Sequence, residues 1–150
     1  MKRGSIFVAV TLALASSAGC GGPRIPAHPR PLHIEDPEQA VGAYYRRLNA
    51  EDLEGVLALM TSEPTLAEPF SSGDGSTTTH TGYHDVATFF AQSFRSRDDQ
   101  VVPEFIRAEG RSHVEVGWSM HGSDGTGMSG QSHIELSQGL IARITIERRD

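Results

Sequence analysis

Glu68 raises the first chemical question in this chain of 150 residues. It lies in "TLAEPF", residues 65–70, beside apolar neighbours and directly before Pro69. A carboxylate in a short apolar strand, against a proline, has two readings. It is a surface acid at a strand end, or a general base at the mouth of a pocket. An apolar surround disfavours the charged form, so the pocket reading expects the pKa of Glu68 to rise. Two other polar groups fall on apolar faces. Tyr44 recurs with Val41, Tyr45 and Leu48 at helical spacing, and its hydroxyl should point inward. Ser132 shares a strand face with Met128, Ile134 and Leu136. A hydroxyl there needs a ligand, a water or a backbone group. The plain alternatives are core packing for Tyr44 and satisfaction within the sheet for Ser132.

The remaining candidates carry less. His80 and His84 are four apart, but Gly82 and a loop-to-helix boundary separate them, so they need not share a helix face as metal-ligand pairs do. His113 and His133 fall on the wet faces of their strands. "HGSDGTGMSG", residues 121–130, is Gly-rich but lacks the Lys-Ser/Thr of a phosphate loop, and reads as a hairpin turn. No metal and no cofactor is expected. The formal charge of -6 argues against an electrostatic nucleic-acid binder.

Elements must position these residues. Asp36 can cap a helix that starts at Pro37 and carries Gln39 at its third position. A second helix fits Asp52–Thr61, with Leu53, Val56, Leu57 and Met60 on one side. "TLAEPF" is a short strand and "SSGDGSTTT", residues 71–79, a loop. A third helix fits Tyr83–Arg95, burying Val86, Phe89, Phe90 and Phe94. A strand around Val101–Arg107 contains Pro103, which implies an edge or a bulge. In "SHVEVGWSM", residues 112–120, Val114, Val116, Trp118 and Met120 alternate with His113, Glu115, Gly117 and Ser119. Met128, Gly130, Ser132, Ile134 and Leu136 share the dry face of the next strand. Leu140, Ala142, Ile144 and Ile146 share that of the last. Helices come first and strands later, so the class is α+β: a strongly curved antiparallel sheet wrapped by three helices into a cone with an apolar interior. Phe90, Trp118 and Met120 are expected in the wall of that interior.

The domain is preceded by a targeting segment and a tether. Lys2 and Arg3, the apolar run "IFVAVTLALA" (Ile6–Ala15) and "SSAGC" (residues 16–20) form the order of a secretory signal. The only cysteine, Cys20, has no disulfide partner. "SAGC" resembles the lipobox of bacterial lipoproteins, with Ser17 where that pattern has Leu. Lipidation of Cys20, and hence a membrane anchor in the cell envelope, is the favoured expectation; cleavage after Ala18 and secretion is the alternative. Residues 21–36, rich in Pro and Gly, read as an extended tether, and residues 37–150 as the folded domain.

One block, "YYRRLNAEDLEGVLALMTSEPTLAEPFS" (residues 44–71), closely resembles the opening of bacterial ketosteroid isomerases of the nuclear transport factor 2-like superfamily. "TGYHDVATFFAQSF" (residues 81–94) and "SHIELSQGLIARITI" (residues 132–146) continue the resemblance over most of residues 37–147. It implies the cone fold. It also implies Glu68 as the base, one methylene longer than the Asp of the isomerases, and Tyr44 as an oxyanion donor. Ser132 stands where the isomerases carry a second, acidic donor. Phe90 stands where they carry a supporting tyrosine. Two functions follow. One is a small exported enzyme moving a proton on an apolar carbonyl compound. The other is a non-catalytic module of the same fold that binds an apolar small molecule or a protein. Homodimers are common in the superfamily, so a dimer is a further expectation.

Overall fold

The computed structural model describes residues 21–149. The order is α1 (Pro37–Asn49), α2 (Leu53–Ala58), β1 (Met60–Glu68), β2 (Thr78–Thr81), α3 (Tyr83–Ser96), then β3 (Gln100–Glu109), β4 (His113–His121), β5 (Gly127–Ser137) and β6 (Leu140–Arg149). The mixed α+β architecture is the expected one. Asp36 caps α1 by accepting from the Gln39 N–H at 2.9 Å, and Pro37 fills the first turn, where no N–H is needed. Asp52 caps α2 in the same way through Gly55 and also pairs with Arg47.

The six strands form one sheet in the order β2-β1-β6-β5-β4-β3. All pairs are antiparallel except β1 with β6, which is parallel. That pairing accounts for the first departure from expectation. The second helix ends at Ala58 rather than Thr61, because Met60 already pairs with Ile141 of β6. A buried methionine satisfies the helical pattern and the strand equally well. The first strand is correspondingly longer than "TLAEPF". Pro64 falls where its register with β6 shifts, between Met60 and Thr65, so its missing N–H costs no ladder bond. A second departure is β2, which forms from residues read partly as loop and pairs with Thr65–Glu68. Pro103 lies both on the edge strand and beside a register shift, as its chemistry requires.

The predicted strand phase of β4 and β5 holds: Val114, Val116, Trp118, Ser132, Ile134 and Leu136 are buried. Their neighbours on the other face are less open than expected. His113, Glu115 and His133 are half-buried, with the two imidazoles stacked at 5.8 Å. In β6 a register shift opposite Glu135 and Leu136 alters the phase. Ile141 is buried and Ala142 only partly so, while Ile144 stays inside and Ile146 is half-buried.

Residues 21–35 form neither helix nor strand, yet they lie on the domain as a strap. The Leu32 N–H donates to Ala58 O at 2.7 Å and the Tyr83 hydroxyl to Pro26 O at 2.8 Å. Ile25 and Ile34 pack against the core. Gly139 has φ 76°, and a Cβ there would meet the Ile34 carbonyl oxygen at 2.9 Å. The β5–β6 turn therefore accepts the strap only because it carries glycine.

Candidate ligand cavity

A cavity of about 430 Å³ opens between α1, α3 and the concave face of the sheet. That volume lies in the range that holds a drug-sized molecule. Helix α1 contributes Tyr44, Tyr45 and Leu48, and α3 contributes Phe89, Phe90 and Ser93. The sheet contributes Trp118, Met120, Ser132 and Ile146. Phe70 and Ser71 close one side, and Arg97 and Asp99 another. The aromatic rings support one another edge-on: Tyr44 with Tyr45 at 5.0 Å, Tyr44 with Phe90 at 6.3 Å, and Phe70 with Trp118 at 6.3 Å.

The polar groups in this wall are mainly donors. Tyr44 is 2% exposed, and its ring lies in the wall. Burial pushes its pKa far above the ordinary phenol value, the neighbouring Tyr45 adds to this, and Arg97 opposes it. Burial also pushes Tyr45 up to about 12, against a hydrogen bond from Ser132. Both phenols therefore keep their protons at any physiological pH. The Trp118 ring lies in the wall with its Nε1 buried and unpartnered among the described residues.

Tyr44, Ser132, Phe90, Trp118 and Met120 are thus brought onto one cavity. Glu68 is not, and two expectations about it are corrected. It is fully buried at the end of β1 and is not among the residues that line the cavity. Its Oε2 accepts from the Phe70 N–H at 2.5 Å and the Ser71 N–H at 2.9 Å, and its Oε1 bonds His80 Nε2 at 2.9 Å. The predicted rise in its pKa is also overturned. Burial does push the pKa up, but the Ser71 side chain, His80 and the two backbone N–H groups together outweigh it, and the net shift is downward. Donors that converge on a carboxylate favour its charged form. Glu68 is therefore no surface acid, and its carboxylate is held by donors from Phe70, Ser71 and His80.

The sequence reading weighs His80 only as a metal ligand with His84, and its pairing with Glu68 is missed because the first half of its strand reads as loop. The run Thr78-Thr79-His80-Thr81 carries the β-branched signal that could have found it. Its ring rests on Phe89 at 4.9 Å, with Nδ1 3.7 Å from Asp85. Arg97 and Asp99 also escaped, since no local pattern brings the end of a helix to a cavity.

A cone of this topology around an apolar cavity defines a nuclear transport factor 2-like domain. Residues 41–144 match the SnoaL-like domain family, and the chain belongs to it. Solved structures share the fold. A protein of unknown function with a cystatin-like fold from Methylobium petroleophilum aligns with TM-score 0.64 at 15% identity, over 75% of each chain. A provisionally assigned ketosteroid isomerase from Kribbella flavida aligns with TM-score 0.62 at 21% identity, over 75% of this chain and 77% of that one. A provisionally assigned polyketide cyclase from Sinorhizobium meliloti aligns with TM-score 0.61 at 15% identity, over 73% and 94%. No curated protein matches the chain by sequence.

Proposed function

We propose that this domain binds an apolar small molecule that offers a hydrogen-bond acceptor to Tyr44, without using Glu68 as a catalytic base. The observation that carries the reading is a buried, protonated phenol and the unpartnered Nε1 of Trp118 in one aromatic-lined cavity. An occupant with a carbonyl would satisfy such a donor, and the surrounding rings would bury the rest of that molecule. Two neighbours provisionally assigned as a ketosteroid isomerase and a polyketide cyclase share this fold. The isomerase alternative loses its base. Glu68 does not line the cavity and is hydrogen-bonded to Phe70, Ser71 and His80, and Asp99, the carboxylate in the wall, is paired with Arg97.

Trp118 is the only tryptophan, so intrinsic fluorescence reports from the cavity wall. Titration with a 3-oxo-Δ4 steroid should give a saturable change. Tyr44→Phe should weaken binding by about threefold to tenfold, the net worth of one hydrogen bond. A 3-oxo-Δ5 steroid should isomerise no faster with the protein than in buffer. A flat titration would remove the binding reading, and turnover abolished by Glu68→Gln would restore the enzyme reading.

The cell envelope is the proposed site of action. The basis is the sequence of residues 1–20, which lie outside the described residues. Among the described residues no helix is long and apolar enough to cross a membrane. The proposed attachment is through Cys20. Wild-type chain from a bacterial host should fractionate with membranes and carry acyl mass, and Cys20→Ala should lose both. A soluble mature chain with a free thiol would end the proposal.

A further inference from the structure

Arg97 and Asp99 are the only charged residues in the cavity wall, among the described residues. Arg97 follows α3, and its side chain is only 9% exposed. Its Nε donates to Asp99 Oδ1 at 2.5 Å and its Nη2 to Asn49 Oδ1 at 3.1 Å. Asn49 is fixed in turn. Its Oδ1 accepts from the Val101 N–H at 2.9 Å and its Nδ2 donates to Val101 O at 2.7 Å. A guanidinium carries five N–H donors, and these bonds leave others without a partner among the described residues. The cavity therefore holds a rigidly mounted cation with donors to spare, neutralised by one adjacent carboxylate.

A lone buried cation would draw an anion into the cavity. The pair changes that balance. A ligand carboxylate beside Arg97 meets the repulsion of Asp99 together with the attraction of the guanidinium, and it must also shed its hydration. An uncharged acceptor, such as a ketone or ester, loses less hydration and can still take a free N–H. We infer that Asp99 determines the charge of the ligand: by neutralising Arg97 it makes the cavity accept uncharged apolar compounds and reject the matching carboxylates. This rests on the binding reading above and adds a selectivity to it.

The test uses two probes of nearly equal size, 2-acetylnaphthalene and 2-naphthoate, in equilibrium dialysis at neutral pH. Wild type should bind the ketone at least about tenfold more tightly than the carboxylate. Asp99→Asn frees the guanidinium, and a charge-assisted bond should then tighten 2-naphthoate by about tenfold or more. The ketone should change by much less. Adding Arg97→Gln to Asp99→Asn should abolish the gain, which a general loosening of the cavity would not explain. The wild-type ratio needs no substitution, so it can overturn the proposal even if a variant fails to fold, while the Asp99→Asn gain assigns the selectivity to Asp99. Equal or tighter binding of the carboxylate by wild type, or no gain in a folded Asp99→Asn, overturns the charge selection and leaves the binding reading intact. If neither probe binds any form, both fall.

Discussion

Glu68→Ala should cost about 1–3 kcal/mol of folding stability, because it removes a buried acceptor that three donors share. The substitution strands the N–H groups of Phe70 and Ser71, and His80 Nε2 loses its acceptor. In a domain of this size the expected fall in Tm is on the order of 10 °C. Glu68→Gln should cost less, since the amide oxygen can still accept from the backbone. The pH dependence has a definite sign. The folded pKa of Glu68 lies below its ordinary value of 4.5. Its contribution is therefore fully present above that value and is lost as the pH falls through the lowered folded pKa. Thermal melts across the acid range should show a steeper loss for wild type than for Glu68→Gln. A Glu68→Ala protein that melts like wild type would refute the structural role.

Gly130→Val should disable the cavity from the opposite side. Gly130 pairs with Trp118 across β4 and β5, and a Cβ there would overlap both the Glu147 carbonyl oxygen and the indole ring. The carbonyl belongs to the sheet ladder and cannot move cheaply. The indole can, and the space beside it is the cavity. Strand propensity alone would favour valine at this position. The expected outcome is the reverse, a loss of about 1–3 kcal/mol through overpacking. Displacement of Trp118 should also alter the intrinsic fluorescence and abolish the steroid titration. Calorimetry and that titration check the two parts separately. Unchanged binding in a folded Gly130→Val would show that the indole does not shape the site.

Much of this fold is legible because its signals are local. Asp36, Pro37 and Gln39 mark a helix start within four residues. The alternation in residues 113–118 fixes which side chains of β4 enter the core, and from there Ser132 and Trp118 follow onto one face. The parity of "TLAE" even turns Glu68 inward with Leu66. What it cannot convey is what lies on the inside. The partners of Glu68 come from the turn after Pro69 and from His80, twelve residues later on a strand too short to announce itself. The burial of Ile141 depends on a register shift that only the pairing of β5 with β6 creates. The Arg97–Asp99 pair reaches the cavity through Asn49, whose anchoring to Val101 spans 52 residues. Local pattern reads faces well; it does not read which distant group completes a polar cluster.

The strap sets a limit on reach. From Ile25 onward the chain is laid on the domain, so only the four residues Gly21–Arg24 separate it from Cys20. Fully extended, they span about 14 Å, roughly half the width of a small domain. A protein held at Cys20 could not swing through the envelope as if on a long leash. It would stand close to its attachment, with the surface around Pro26 and Tyr83 turned toward it. Anchoring would then set the orientation of the domain as well as its location, and freeing the strap would lengthen the leash and release that orientation together.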